Sequence, residues 1–313
     1  GLLTGIVGIL RAEAADFNSM VAFTLLLSAI NPMISLSNFK ILHQYFPKDQ
    51  FVLANGITSA GMAFGFLLGA QFSATILAPL VGSWRAVFII YSVCGILLTL
   101  PWFLLIRSEK VETEPGNQPL LGALGEVIRN SSVWLMGFGI LGVNGAITGV
   151  LGYLPYYLQD IGWDITSSSA SLTLFHTTSL IFTMPIVLYS PKILKRRYAT
   201  IVAGTAIAIG LTLLYFATGW IVWPAVMLAG FSRDGFMALF FTQVSETMGV
   251  KPHMIATAIG IAMMMNSIGS IFSPPVGNSM VTYSPSAPFL FWGGLAFIGV
   301  FCLTIVAWKE RHA

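Results

Sequence analysis

Arg233 and Asp234 stand side by side in the middle of an otherwise apolar run, Trp223 to Glu246, which reads W-P-A-V-M-L-A-G-F-S-R-D-G-F-M-A-L-F-F-T-Q-V-S-E. The run is long enough to cross a bilayer, which takes roughly 20 residues. A charge at that depth costs about 2.5–3.5 kcal/mol on the insertion scale, so such residues face a bundle interior or a wet cavity. Two chemistries fit the pair. It can be an ion pair that locks helices together. Alternatively, Arg233 offers a permanent guanidinium to an anion, bidentate for a carboxylate or phosphate, while Asp234 carries a proton. At one residue apart on a helix the two side chains point about 100° from each other, so Asp234 is not an automatic partner for Arg233.

Other polar residues lie at helical spacing inside apolar runs. Thr24, Ser28, Asn31, Ser35 and Asn38 recur at intervals of 4, 3, 4 and 3, so they share one helix face. That stripe reads as a cavity wall with neutral hydrogen-bonding groups, or as interhelical bonding. Gly142, Gly145, Gly149 and Gly152 form a packing face, and Asn144 and Thr148 lie one turn apart beside it, where they could meet a bound solute. Tyr153, Tyr156 and Tyr157 crowd the end of the same run, as an interfacial aromatic belt or a gate. His176, alone in its run, is a core histidine or a proton relay. Gly61, Gly65 and Gly69 read as a helix-packing row. Cys94 and Cys302 sit in separate apolar runs and are expected as free thiols. No nucleophile, metal or cofactor constellation is evident, so neither an enzyme nor a cofactor is expected.

The elements that must position these residues are membrane helices. The chain is 56% hydrophobic and 9% charged, with mean hydropathy +0.83; soluble domains carry about 25% charged residues. The net charge of +3 comes from basic residues scattered over short loops, which argues against nucleic acid. Apolar spans are predicted over 17–45, 52–80 and 86–106, then 133–157, 167–190, 198–218, 221–246, 254–282 and 287–308, with Gly1 to Leu10 as part of another. The polar stretch 107–131, R-S-E-K-V-E-T-E-P-G-N-Q-P at its start, reads as a linker between residues 1–106 and 132–313.

With that linker in the cytoplasm and the spans alternating, Lys40, Lys48, Arg107, Lys110, Arg129, Lys192, Lys195, Arg196, Arg197, Lys251, Lys309 and Arg311 fall on cytoplasmic ends. Only Arg11 and Arg85 fall outside. This is the positive-inside pattern. A weak internal repeat relates Phe46 onward to Val250 onward, an offset of 250 − 46 = 204 that superposes Gly56 on Gly260 and Gly65 on Gly269. Carried to Ser132, the offset predicts two more helices before Gly1. The expected fold is therefore all-α, two pseudo-symmetric six-helix halves with the first two helices absent. The same offset superposes Asn31 on Gly235 rather than Arg233, and those positions differ by about 160° around a helix.

Several motifs sit where the major facilitator superfamily carries its own. F-P-K-D-Q from Phe46 is similar to the loop between its fourth and fifth helices, G-S-W-R-A-V-F from Gly82 to the entry of its sixth, and S-P-K-I-L-K-R-R from Ser190 to the second copy of its basic loop. The chain resembles that family along its whole length. Lys192 and Lys195 stand where the basic loop has Asp and Gly, and the Gly61–Gly65–Gly69 run lacks the antiporter proline.

The resemblance implies a multi-pass protein of the inner membrane with both termini of the full protein cytoplasmic, and secondary active transport by alternating access. The solute would be small and anionic, bound between the halves by Arg233, Asn31, Ser35, Asn38, Asn144, Thr148 and Tyr153. The coupling ion would be H+, carried by Asp234 or His176. A monomer in a lipid bilayer is expected. Proton-coupled efflux of apolar compounds and a transporter-like sensor without turnover are the alternatives.

Overall fold

The computed structural model describes residues 1–45, 57–58, 61–62, 64–66, 68–105, 120–247, 249–251 and 254–312. The loop motif at Phe46, the first copy of the repeat up to Gly56, Lys48, Arg107 and Lys110 lie outside the described residues, as do the side chains of Ser35, Asn38, Lys40 and Lys192. The described residues are helical. The chain divides into two compact units, Gly1–Thr113 and Glu114–Ala313.

The first unit contains α1 (Leu2–Ala12), α2 (Phe17–Tyr45), a π-helical stretch Leu68–Leu77 running into α3 (Ala78–Val81), and α4 (Trp84–Leu105). Glycines at positions 1, 5 and 8 turn one face of α1 onto α4. A Cβ at Gly5 would lie 2.3 Å from Ile96, and one at Gly8 2.2 Å from the Ser92 hydroxyl. Small residues let membrane helices approach this closely, where van der Waals contact replaces the hydrophobic effect. Gly82, at φ 65°, ends α3 in the left-handed region that glycine adopts without strain. No such packing is seen at Gly61, Gly65 or Gly69, where an added Cβ would meet no described atom within 4 Å.

The second unit begins with α5 (Leu120–Arg129), inside the stretch read as linker. Its sequence, L-L-G-A-L-G-E-V-I-R, is amphipathic. Val127 is buried, Leu124 and Ile128 are exposed, and Glu126 pairs with Lys251 at 3.4 Å. Six spans follow: α6 (Ser131–Asp160), α7 (Ile165–Ile193), α8 (Arg196–Phe216), the pair α9 (Val222–Phe231) and α10 (Arg233–Glu246), α11 (Ile255–Ser279) and α12 (Ala287–His312). With Trp84–Pro101 these make seven segments, among the described residues, long and apolar enough to cross a membrane. Helices suit that medium because each satisfies its own backbone hydrogen bonds.

α6 is the axis of this unit. The Asn130 side chain caps it by accepting from Ser132 N–H at 2.9 Å. Met136, Ile140, Val143, Ile147, Leu154 and Leu158 are buried along it. Five of its six glycines meet neighbouring helices: Gly137 meets Met265 and Gly145 meets Gly269 of α11, while Gly139 meets Leu303, Gly142 meets Gly299 and Gly149 meets the Trp292 ring of α12. A Cβ at Gly152 would meet no described atom within 4 Å. Side chains such as Val202, Ile298, Phe301 and Trp308 point outward, as lipid-facing residues do. One end of the unit collects Arg129, Lys195, Arg196, Arg197, Lys251, Lys309 and Arg311. Contacts of Lys309 with Ser131 and of Arg197 with Glu310 tie that end together. The opposite end carries Asp160 and Asp164 in the α6–α7 turn, where hydrogen bonds from Ser167 hold the Asp164 carboxyl below its ordinary value of 3.8.

Candidate functional site

The span expected as one helix over 221–246 is broken. α9 stops at Phe231 and α10 starts at Arg233, with Ser232 between them at φ −110° and ψ 4°. The break falls at the middle of the segment Gly219–Val244. Ser232 is fully buried. Its hydroxyl donates to the Ala203 carbonyl of α8 at 2.9 Å, and its own carbonyl accepts from Phe236 N–H at 2.6 Å.

The charge pair opens the second of these helices. Arg233 Nη1 donates to Asp234 Oδ1 at 2.5 Å, so the two neighbours are partners after all. Both residues lie in the first turn of α10, and the long arginine side chain reaches across the 100° between them. Asp234 sits in the first turn of α10, where the helix dipole favours a negative charge. α7 completes the arrangement. The Ser179 hydroxyl donates to Asp234 Oδ2 at 2.7 Å and accepts from Asp234 N–H at 3.0 Å, and Ser179 is fully buried. His176 lies one turn earlier on α7, 5% exposed, with its ring edge-on to Phe175 and both charges of the pair near enough to act on it. The side chains of Arg233 and Asp234 remain 18% and 21% exposed.

Two glycines make this approach possible. A Cβ at Gly230 would lie 2.4 Å from the Phe175 carbonyl oxygen, and one at Gly235 would lie 2.7 Å from Ile186. The string G-F-S-R-D-G thus presses α7 against both half-helices. Ser179 was not among the expected site residues; its signal is the polar row His176, Ser179, Thr183 at spacings of 3 and 4.

The other expected residues fall elsewhere. Asn144 and Thr148 turn toward α11 instead of an open face. Asn144 Nδ2 donates to Asn266 Oδ1 at 2.7 Å, and Thr148 Oγ1 lies 3.3 Å from Ser270 Oγ. The backbone contact of Gly145 with Gly269 brings these neighbours together, so the hydrogen bonds expected for a solute go to a helix. Tyr153 is buried, and its hydroxyl donates to the Pro285 carbonyl at 2.9 Å; Tyr156 is 64% exposed. In the first unit, the hydroxyls of Thr24 and Ser28 donate to the carbonyls of Met20 and Thr24 on their own helix. Asn31 is exposed. Cys94 and Cys302 are free thiols.

Interrupted spans near the midplane recur in membrane carriers, and the sequence gives the family. The profile of the Major Facilitator Superfamily matches residues 1–272. The chain belongs to the Major Facilitator Superfamily. Solved structures with the superfamily fold superpose on nearly all of it. A nucleoside transporter has a TM-score of 0.72 at 16% identity, with 97% of this chain and 81% of that chain covered. The Escherichia coli fucose:proton symporter has a TM-score of 0.69 at 12% identity, with 97% and 81% covered. A bacterial homologue of the human lysosomal transporter Spinster has a TM-score of 0.67 at 14% identity, with 99% and 80% covered. In sequence, a curated protein of Escherichia coli (strain K12), described as a probable L-galactonate transporter, is 34% identical over 126 residues. That match spans 33% of this chain and 28% of the relative.

Proposed function

We propose that this superfamily member is a secondary active transporter of a small anionic solute, coupled to protons and working by alternating access as a monomer in the inner membrane, its basic end cytoplasmic. The observation that carries the reading is the Arg233–Asp234 pair at the Ser232 break. Half-helix ends and interrupted spans near the midplane are where transporters hold ions and solutes. Here the break presents a guanidinium already partnered by a carboxylate. Protonation of Asp234 frees Arg233 for an anion, and an anion on Arg233 favours the protonated acid. The two ligands thereby help each other, and by linkage the coupling is reciprocal. Ser179 holds the carboxylate in place through both states, and His176 is the second group able to accept the proton. Asn31, Ser35 and Asn38 remain candidates for neutral contacts from the first unit.

A hydroxy carboxylate is the first solute to test, because the relative with 34% identity is described as a probable L-galactonate transporter. Binding of L-galactonate to the purified full-length protein and to Arg233→Lys is measured alongside melting. A lysine is a point charge without the planar fork. A lost charged hydrogen bond is worth about 1.5–3 kcal/mol, so affinity is expected to fall by about tenfold to a hundredfold with melting little changed. Normal affinity in a destabilised variant would end the solute-site reading and leave a structural ion pair.

A further inference from the structure

At the basic end of the C-terminal unit, the start of α8 and the last turns of α10 and α12 border an open cavity of about 320 Å3, within the size range of small-ligand sites, roughly 300–1,000 Å3. Its walls are Lys195, Arg196, Arg197, Gln243, Glu246 and Glu310. Arg196 pairs with Glu246, and Arg197 lies 3.6 Å from Glu310. Three cations against two carboxylates leave one positive charge in excess. The 21-residue helix α8 adds its N-terminus here, where Lys195 provides no side-chain cap and the first-turn N–H groups favour an anion.

Gln243 is the unexpected member. It is 3% exposed, and neither atom of its amide has a hydrogen-bond partner among the described residues. Two more wall atoms, Arg197 Nε and Glu310 Oε1, are buried in the same condition. Buried polar groups without partners are rare in folded proteins and call for an explanation. Two of these four atoms are donors, Gln243 Nε2 and Arg197 Nε. The other two are acceptors, Gln243 Oε1 and Glu310 Oε1. A simple anion would satisfy the donors and leave the acceptors empty. A neutral polyol would leave the excess charge unmatched.

We propose that this cavity binds a small hydroxylated oxyanion: a phosphate or carboxylate group meets the donors and the cations, and its hydroxyls donate to Gln243 and Glu310. The site is separate from Arg233. Gln243 lies ten residues further along α10, about 15 Å at the helical rise. It also stands whether or not Arg233 binds a solute. The chemistry is shared by soluble phosphorylated polyols and by the headgroup of phosphatidylglycerol.

The test titrates glycerol 2-phosphate calorimetrically into the full-length protein in detergent, with sulfate and glycerol as probes that each lack half the chemistry. Binding of glycerol 2-phosphate at least tenfold tighter than either is expected, and it persists in Arg233→Lys. Gln243→Leu abolishes it while melting holds or rises, since leucine fills similar volume without an unpartnered amide. Should that variant fail to fold, Lys195→Ala, at an exposed position, weakens binding several-fold. Absence of binding to the wild type, equal binding in the Gln243 and Lys195 variants, or loss of binding in Arg233→Lys overturns the proposal. Repeating the titration in nanodiscs separates the sources. Binding in phosphatidylcholine but not in phosphatidylglycerol marks the headgroup as occupant, equal binding in both marks a soluble ligand, and no binding in either refutes the site.

Discussion

Asn144 and Asn266 meet between two continuous helices, whereas Arg233 and Asp234 stand where one span is interrupted. Both places put polar atoms deep in an apolar unit. Between α6 and α11 the groups are neutral, they bond to each other, and the glycine backbones beside them touch. At the α9–α10 break the groups are charged, their bonding runs through a third helix, and about a fifth of each charged side chain stays accessible. Neutral groups that satisfy each other within a glycine contact hold helices together. Charges kept accessible at a helix break have the means to exchange partners. The contrast separates packing from chemistry without reference to residue type alone.

Three experiments would break or sharpen that contrast. The largest effect is expected from Asp234→Asn, which removes the proposed proton site and keeps the shape. Proton-driven uptake into proteoliposomes should disappear while exchange of internal for external solute persists. Undiminished proton-driven uptake would remove Asp234 from the coupling and move attention to His176. A smaller effect, on stability alone, is expected from Gly269→Ala. The new Cβ would lie 2.6 Å from the Leu141 carbonyl oxygen and 3.1 Å from its Cα, and such overpacking costs about 1–3 kcal/mol. Melting in detergent should fall with solute affinity unchanged. Weakened binding at normal melting would place this interface in the binding machinery.

The smallest effect belongs to the amide pair. Coupling energies of hydrogen bonds within membranes average about 0.6 kcal/mol and reach about 1.7, so a double-mutant cycle with Asn144→Leu and Asn266→Leu should return a value in that range. Solute affinity should stay within about twofold. A tenfold loss of affinity would return Asn144 to the solute.

Where sequence and structure agree and where they part follows from the range of the forces involved. Length and apolarity are properties of a segment, so the six spans of the second unit were legible to within a few residues. The break at Ser232 was not. G-F-S-R-D-G is compatible with an unbroken helix, and the deciding contacts are made by α7 and α8, far away in the chain. The Arg233–Asp234 partnership was hidden for another reason: the angle between neighbouring helix positions takes no account of the reach of an arginine side chain. Asn144 was placed beside the glycine face correctly, yet which side of that face meets α11 is a matter of packing. α5 was overlooked because the polar run before it set the reading of the whole stretch. Gln243 is a single polar residue near a span's end, and only its burial distinguishes it.

Ser232 has one more consequence. Its hydroxyl fastens the bend to α8, and two residues on, Asp234 fastens it to α7. In mechanical terms this is a pinned joint, with its position fixed by two anchors on different helices and its angle set by the torsions of one residue. Any change of angle between α9 and α10 would therefore turn about Ser232, beside the two charges.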